Sequence, residues 1–474
     1  MKAWIYEREL TDNAIPPEPV DDNEVAWSSY IKEGRAADNK LFNDWISEVP
    51  GSKAPCDVVA AAVQSMYNRG YDVSEAEKYL EEGLTAARDK DGAILQVLTA
   101  RVFKALNKAE KREGNKYDSF TEYLDFSQIK SAMNFTEAYP YDVYSTDFSE
   151  KVKAGWWGQL IGGCLGTQIE GYTTRKIREK FGDITGYLRK PETYNDDITY
   201  ELAYLDVFMK KGYSVTSEDV AFAWLELISD GYSAERTALE NLRKGIMPPE
   251  SGRFCNYFSD WIGAQMRTPI HGMLAPGNPV LAARLAADDS VISHSNNGVL
   301  GGIFNALLTS LAFTERDMKE LLRKAVDMLP HDSEYYDVVN STLQMCGTEN
   351  EWENVWKDCE ERYKEYNWIH AYPNAAAEVI ALWYGNMDFN ETCRIIAAEG
   401  QDVDCTAAPV LNALAIMIGL GKIDKNWISP IGDVILTTMR RMQELKITEL
   451  CDMTVKSVRD AVKNSGKKGV YEVW

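Results

Sequence analysis

Apolar residues recur every three to four positions along most of the chain after residue 150, and this spacing is typical of amphipathic helices. Ile198, Leu202, Leu205 and Phe208 show it clearly. Alternating apolar and polar runs, which would predict strands, are scarce. We therefore predict an all-α protein. Its predicted helices cover residues 152–167, 197–211, 217–230, 233–244, 279–289, 297–313, 315–328, 373–385, 389–399, 405–419 and 429–444.

The first 150 residues follow a different pattern. The turn-forming runs PPEPVDD and VPGSKAP interrupt residues 1–53, helical spacing occupies 56–110, and charged, aromatic and turn-forming residues mix over 111–150. We place a domain boundary near residue 150. A mostly helical N-terminal extension, to which no pattern assigns a function, would cover 1–150, and a compact multi-helix catalytic domain would cover 151–474.

Composition excludes several classes of protein. The formal charge of −22 disfavours nucleic acid and anionic membranes as partners. The eight cysteines form no CxxC pair, which indicates free thiols in a reducing compartment. The N-terminus has no apolar signal-peptide core, and the uncharged run 154–169 is too short to predict a membrane span. We expect a cytoplasmic protein, and the sequence leaves its oligomeric state open.

The segment GWWGQLIGGCLGTQIEG (155–171) places three glycines on one helix face. Gly158, Gly162 and Gly166 recur at every fourth residue, and such a face permits close approach by another helix or by a ligand. Glu170 follows directly, where an acid is either exposed to solvent or held in a cavity. The spacing alone does not decide whether a helix or a ligand approaches the glycines, or whether Glu170 is exposed or enclosed.

The segment YNDDITYELAYL places Asn195, Asp196 and Asp197 directly ahead of a helix. Asn and Asp favour the N-cap position, and acids there complement the helix dipole. One such side chain satisfies a cap, so the other two are surplus. Adjacent carboxylates repel one another unless a cation lies between them, and hard cations prefer oxygen ligands. A cap and a metal site both remain open.

The segment GQDVDCTAAPV repeats this arrangement, with Asp402 and Asp404 ahead of an apolar helix and Cys405 directly after them. A helix cap, a redox site and a metal site are all possible. Two acidic helix entrances in one all-α chain favour the metal interpretation for both, because a two-metal site takes carboxylates from separate elements.

Residues 271–302 combine a Gly/Pro loop, a short helix and His294, which opens a further helix. A histidine there is either structural or binds a hydroxyl or phosphate of a substrate.

These motifs, taken together and in this order along the chain, indicate one protein family. From about 152 to 445 the chain resembles the ADP-ribosylglycohydrolase family, which includes the dinitrogenase-reductase-activating glycohydrolases. GGCLGTQIEG matches the family's glycine-rich helix that ends in an acid, NDDIT its Thr-Asp-Asp-Thr motif, and GQDVDCTAA its Gly-Asp-Thr-Asp-Thr motif. PIHGMLAPGNP and SHSNNGVLGGIFNALL resemble its middle region.

The resemblance implies an all-α fold with a central cleft, in which two Mg²⁺ or Mn²⁺ ions assist cleavage of a glycosidic bond at a ribose anomeric carbon. It assigns Asn195, Asp196, Asp197, Asp402, Asp404 and Thr406 to the metal shell, Glu170 and Asp404 to catalysis, and Gly166, Thr199 and His294 to substrate contacts. Three motif positions differ, with Asn195, Ile198 and Cys405 where the family has threonine. Because thiolate is a soft ligand that suits Mg²⁺ poorly, we expect Cys405 to be a weak ligand at most.

Three functions are compatible with these residues. The first is release of ADP-ribose from a modified protein or small molecule, the second is hydrolysis of another small glycoside or nucleoside-like compound, and the third is a catalytically silent member that binds ligand. Phosphate recognition would draw on basic residues, for which the candidates are Arg175, Lys176, Arg178, Arg267 and Arg284. A bare sugar would suit an aromatic floor, for which the candidates are Trp156, Trp157, Tyr172, Trp261 and Tyr372.

Overall fold

A computed structural model of the protein describes residues 1–15, 26–47, 50–53 and 58–473, and in the helix that begins at Ala26 it describes side chains from Ala36 onward. The described residues form 24 α-helices and one two-stranded antiparallel ribbon. The helices are α1 (Ala3–Asp12), α2 (Ala26–Trp45), α3 (Val59–Asn68), α4 (Ser74–Glu77), α5 (Leu80–Arg88), α6 (Gly92–Leu106), α7 (Phe126–Ala132), α8 (Thr146–Gly166), α9 (Thr174–Phe181), α10 (Asp196–Lys211), α11 (Ser217–Leu227), α12 (Ser233–Arg243), α13 (Gly263–Met266), α14 (Pro269–Leu274), α15 (Pro279–Ser290), α16 (Asn297–Ala312), α17 (Met318–Met328), α18 (Glu334–Thr348), α19 (Trp352–Arg362), α20 (Ala371–Tyr384), α21 (Phe389–Glu399), α22 (Val403–Ile418), α23 (Lys425–Ile428) and α24 (Ile447–Ser465), and the strands are β1 (Ile435–Leu436) and β2 (Glu444–Leu445).

The all-α prediction is confirmed, and helix α16 lies at the centre of the larger core. Every residue from Asn297 to Ala312 is buried, so this helix is covered on all sides. A helix that is apolar all round belongs in the middle of a large domain rather than on its surface.

The glycine face of α8 packs directly against α22. A Cβ atom at Gly158, Gly162 or Gly166 would lie closer than 3.0 Å to backbone atoms of α22, a separation that real Cβ atoms do not show. The close approach predicted for this face is therefore made by a helix. It fixes the end of α8 beside the start of α22, where Asp404 lies.

A second, smaller core lies among the N-terminal helices. Trp45 and Leu98 are buried in it, and it also takes in Phe258 and Trp261 from beyond residue 150. The N-terminal helices therefore pack on the predicted catalytic region. Whether residues 1–150 and 151–474 are separate domains stays a prediction.

Several predicted helix bounds differ by a few residues, and helices α18, α19 and α24 were not predicted. Two of the differences have a clear local cause. Helix α8 begins at Thr146 rather than at 152, because the side chain of Ser145 caps it by accepting a hydrogen bond from the backbone N–H of Phe148. The helix predicted over 429–444 is wrong. That segment contains β1 and the first residue of β2, since Pro430 and a left-handed Gly432 (φ 76°) interrupt any helix there.

Some of the sequence predictions fall wholly or partly outside the residues that the structure describes. The seven described cysteines are unpaired, whereas Cys56 and the run PPEPVDD lie outside the described residues. Of the run VPGSKAP, residues 50–53 are described, and the predicted turn is found there. Within the described part of the chain, no helix combines the length and the apolar character that a bilayer crossing requires.

Candidate functional site

An acidic pocket of about 500 Å³ opens where the end of α8 meets the starts of α10, α12 and α22. A volume of this size suits a small molecule. Its acidic lining residues are Glu170, Asp196, Asp230, Glu235, Asp402 and Asp404. The two acidic helix entrances predicted from the sequence therefore lie at one pocket, together with Glu170.

At the entrance of α10, the cap is already satisfied. Asn195 is the N-cap residue, and its side-chain oxygen accepts a hydrogen bond from the backbone N–H of Asp197 at 2.7 Å. Asp196 faces the pocket. Asp197 lies behind it and is only 2% exposed, and its Oδ2 has no hydrogen-bond partner among the described residues. The two carboxylates are thus surplus to the cap.

The entrance of α22 is not capped by its acids. Asp402 occupies the N-cap position, yet its side chain accepts no capping hydrogen bond. Asp404 Oδ2 lies 3.3 Å from Asn195 Nδ2 and 3.4 Å from Thr167 Oγ1, and its Oδ1 has no partner among the described residues. A capping role therefore explains neither carboxylate of this entrance.

Glu170 completes the acidic group from the far end of α8. It is 8% exposed and lines the pocket beside Asp404 and Ser52. Burial, together with the charges of Asp404 and Asp402, raises the pKa of Glu170 well above its usual range. The pocket floor thus contains carboxyl groups whose charges act on one another.

Burial and mutual repulsion act on the whole group. They raise the pKa of Asp402 and of Asp197 well above the usual value and the pKa of Asp196 to about 6. Burial also raises the pKa of Asp404, although the neighbouring carboxyls of Glu170 and Asp402 oppose this rise. Either protons or cations must neutralise such a group.

The donors at the α22 entrance fit a divalent cation. One ligand atom each of Asp402, Asp404 and Cys405 lies within 4.8 Å of the others. The unpartnered oxygens of Asp404 and Asp197 are hard donors, which Mg²⁺ and Mn²⁺ prefer. Burial and the surrounding aspartates raise the pKa of the Cys405 thiol well above its usual range, so the sulfur keeps its proton and is a poor ligand.

Four predicted site residues do not line the pocket: Asp197, which lies behind Asp196, and Thr406, Gly166 and His294. Thr406 is fully buried, and its hydroxyl donates a hydrogen bond to the carbonyl of Val403 at 3.2 Å. Gly166 is enclosed by the backbone of Asp404. His294 is fully buried 2.8 Å from the hydroxyl of Ser293, and burial lowers its pKa well below the usual value. By contrast, Thr199 lines the pocket, and its contact with a substrate stays a prediction.

The described part of the pocket wall is rich in aromatic side chains. The residues that line it include Tyr194, Tyr200, Tyr232 and Trp368, and among the described residues that line it none is Lys or Arg. None of the five basic and five aromatic candidates from the sequence is among them. Arg267, for example, is fully buried below the wall instead of standing at its rim.

A buried ion network supports the wall. Arg267 donates hydrogen bonds to Glu235 Oε1 at 2.7 Å and to Asp289 Oδ2 at 2.8 Å. Burial raises the pKa of Glu235 to about 7, and the charge of Arg267 opposes this rise. Sequence reasoning missed Glu235 because an acid in the first turn of a helix is common and carries no functional signal by itself.

Sequence reasoning also missed two lining residues that come from distant parts of the chain. Ser52 belongs to the N-terminal region, and Trp368 lies in the loop before α20. Neither residue belongs to a motif, so only the fold brings them to the pocket.

Comparisons with known proteins agree with the motifs. The model of the ADP-ribosylglycohydrolase family matches residues 144–460. An uncharacterised protein of Archaeoglobus fulgidus is 25% identical over 183 residues, which are 35% of this chain and 58% of that relative, so the chain spans little more than half of its length. A solved structure described as an ADP-ribosylglycohydrolase-related protein complex is 19% identical, with a TM-score of 0.47, and covers 67% of this chain and 100% of that one.

Proposed function

The chain belongs to the ADP-ribosylglycohydrolase family, and from this premise we propose that it is a divalent-metal-dependent hydrolase that cleaves a glycosidic bond at a ribose anomeric carbon. A hydrolase of the ADP-ribosylglycohydrolase type follows from the family itself. The metal requirement, the residues that meet it and the substrate are our proposals.

The pocket-floor acids are the observation that carries the metal requirement. We use this name for Glu170, Asp196, Asp197, Asp402 and Asp404. All five are buried or partly buried, and the side chains that contact Asp404 and Asp197 in hydrogen bonds are the neutral Asn195, Thr167 and Cys405. The charge of Arg267 lowers the pKa of Asp196, but burial and the charge of Asp404 outweigh it. Burial of several carboxylates in one place destabilises the folded state unless bound cations neutralise them. The oxygens of the four aspartates would hold those cations, with Asn195 beside them.

The chemistry of the proposed reaction matches these residues. Glycoside cleavage builds positive charge at the anomeric carbon, which nearby carboxylates stabilise. Glu170 lies at the pocket surface and is placed to orient a water molecule and accept its proton. Bound Mg²⁺ or Mn²⁺ would supply the charge that lets the aspartates ionise at neutral pH and would polarise an oxygen of substrate or water.

ADP-ribose release is the first candidate reaction, because the family is defined by it. The pocket would have to receive a diphosphate without a lysine or arginine among its described lining residues. Backbone amides, hydroxyl groups and bound cations would then bear the whole task of phosphate recognition.

Hydrolysis of a smaller, uncharged glycoside or nucleoside-like compound is the second candidate, and the lining favours it. Tyr200 and Trp368 offer apolar faces to a sugar or base, while Glu235 and Asp230 offer acceptors for hydroxyl groups. An acidic pocket repels a diphosphate but accepts a neutral ligand.

Turnover of a substrate panel tests the proposal. The full chain is assayed with Mn²⁺ or Mg²⁺ on ADP-ribosyl-arginine, ADP-ribosyl-serine, nitrophenyl ribofuranoside and nucleosides. We expect hydrolysis that EDTA abolishes, that Asp404→Asn removes, and that the exposed control Asp452→Asn leaves unchanged.

The same assay separates the candidate functions. Cleavage of the neutral compounds, with weak inhibition by ADP-ribose, supports the second candidate, whereas cleavage of the ADP-ribosyl compounds supports the first. Divalent ions bound without turnover of any compound would identify the silent, ligand-binding alternative. No turnover and no bound divalent ion would contradict the enzyme proposal altogether.

A further inference from the structure

A short segment from outside the family-matched residues reaches the pocket. Residues 50–53, which we call the N-terminal strap, cross the end of α8. The backbone N–H of Gly51 donates to the carbonyl of Glu170 at 2.9 Å, and that of Ser52 donates to the carbonyl of Thr167 at 3.0 Å. The last carbonyls of a helix and those just beyond it lack helical partners, so the strap supplies partners at the point where Glu170 stands.

Only glycine fits at the first of these contacts. Gly51 has a left-handed backbone (φ 64°), and a Cβ atom there would lie 2.6 Å from the carbonyl oxygen of Gln168. That neighbour is backbone, which cannot rotate away as a long side chain could. The strap and the turn that carries Glu170 therefore fit together at backbone distance.

Ser52 is the strap residue whose side chain lies beside the carboxyl of Glu170. This side chain lowers the pKa of that carboxyl, and both residues line the pocket. Glu170 also lies beside Asp404, a member of the same acidic group whose charge raises its pKa. A neighbouring hydroxyl can hold the direction of the Glu170 carboxyl without adding charge.

The chain just ahead of the strap is firmly held. Asp44 at the end of α2 accepts two hydrogen bonds from Arg236 of α12, at 2.7 and 3.1 Å. Trp45 is 1% exposed and donates to the hydroxyl of Thr99 at 2.8 Å. Helix α12 also carries Glu235 into the pocket wall. Helix α2 therefore contacts α12 on one side of the pocket, and the strap that follows it contacts the end of α8 on the other.

We propose that the N-terminal strap is part of the active site, with Ser52 as a positioning residue that orients Glu170 and with the strap as one wall of the substrate pocket. This inference rests on the proposed hydrolase function. It assigns a role to a region that lies ahead of residues 144–460.

Substitution of Ser52 tests the positioning role. We expect Ser52→Ala to lower kcat about tenfold, the effect of losing a hydrogen bond to a charged group, while KM and Mn²⁺ affinity stay within about twofold. Ser52→Thr keeps the hydroxyl and should recover most of the lost rate. An unchanged kcat in Ser52→Ala, or equal losses in both variants, would overturn the role.

Substitution of Gly51 tests the wall. Gly51→Ala should displace the strap, raise KM and lower kcat together, and deprotect the amides of residues 51 and 52 from hydrogen exchange. Gly114→Ala is the matched control, because Gly114 has a similar backbone (φ 68°) but no atom within 4 Å of a Cβ placed there. If the amides of residues 51 and 52 exchange freely in the wild type, the strap is not docked and the inference fails.

The two proposals fail in different ways. A wild type that binds no Mn²⁺ and turns over no compound contradicts the hydrolase function, and the positioning role falls with it. A wild type that is active while both strap variants keep its kcat and KM contradicts only the inference.

Discussion

Two groups of buried acids lie beside the same pocket, and they differ in how their charge is balanced. The Arg267 cluster consists of Glu235, Asp289 and the arginine between them, which also lies 4.8 Å from the ring centre of Trp224. Among the pocket-floor acids, Asp404 has neutral partners instead, with its Oδ2 3.3 Å from Asn195 Nδ2 and 3.4 Å from Thr167 Oγ1. In the first group the guanidinium of Arg267 balances the carboxylates, so the folded chain neutralises this group without a bound ion.

The difference separates structure from function. A buried ion pair that satisfies itself supports the fold, and breaking it leaves an unpaired charge. A buried acidic group without a cation remains incomplete, so it is the better candidate for a metal site. The same residue types therefore receive opposite interpretations in the two places, and the presence of Arg267 decides between them.

The largest effect should follow from removal of one pocket-floor acid. We expect Asp404→Asn to lower activity by about a thousandfold or more, roughly 4 kcal/mol, because it removes a metal oxygen at the centre of the group. Mn²⁺ affinity, measured by calorimetry, should fall as well. The melting temperature in EDTA should not fall, because the substitution removes a negative charge that the neighbouring carboxylates repel. Unchanged metal content and activity would show that the motif assignment is wrong.

Removal of the cation from the other group should act on stability instead. Arg267→Met leaves Glu235 and Asp289 buried without a partner and should lower the free energy of unfolding by about 3–5 kcal/mol. The control Arg175→Met breaks an exposed pair with Glu179 and should cost about 0–1 kcal/mol. Chemical denaturation measures both. If the two variants lose equal stability, the Arg267 cluster is not the structural unit described.

The stabilisation that Mn²⁺ gives should depend on pH. In the ion-free fold the pKa of Asp196 rises from 3.8 to about 6, so the fold binds protons that the unfolded chain has released, and this stability is lost as pH rises through 6. Mn²⁺ competes with those protons, so its benefit should grow from pH 5.5 to 7.5 by up to about 1.4 kcal/mol per pH unit for each proton displaced.

The measurement is the melting temperature with Mn²⁺ minus that with EDTA at each pH. Burial lowers the pKa of His271, His294 and His370, and they destabilise the fold at low pH, but they do so with and without the ion, so their effect cancels. A difference that is flat with pH, or absent, would contradict the metal site.

The smallest effect should follow from exchange of the thiol. Cys405→Thr restores the residue that the family motif carries, and we expect activity within about threefold of the wild type, less than 1 kcal/mol. The thiol lies 3.5 Å from Asp197 Oδ1, a contact that a hydroxyl can also make. Complete loss of activity would instead assign the sulfur a role of its own.

The sequence predicts the fold class and the acidic half of the pocket, because both depend on local patterns. Helical spacing is visible in any window, and each aspartate pair lies directly ahead of a helix. The motif order then predicts that Glu170, Asp196 and Asp404 meet. It does not predict which side chains point inward, and so it favours Thr406 and His294, which the fold buries elsewhere.

The rest of the pocket depends on contacts between distant segments. Ser52 and Trp368 reach it only after helices separated by hundreds of residues have packed, and no spacing rule connects them. The predicted helix at 429–444 failed for a related reason. Its apolar residues follow the spacing of a helix, yet Pro430 and Gly432 decide the local backbone.

The glycine contact between α8 and α22 also determines where harmful substitutions should be found. Gly158, Gly162 and Gly166 do not line the pocket, yet a methyl group at any of them would force two helices apart. Because Asp404 lies in the first turn of the second helix and Glu170 follows the first helix, that movement would change the separation between the two carboxyls. In a library of all single substitutions, the least tolerant positions should therefore include this line of glycines, which runs through the interior away from the pocket mouth.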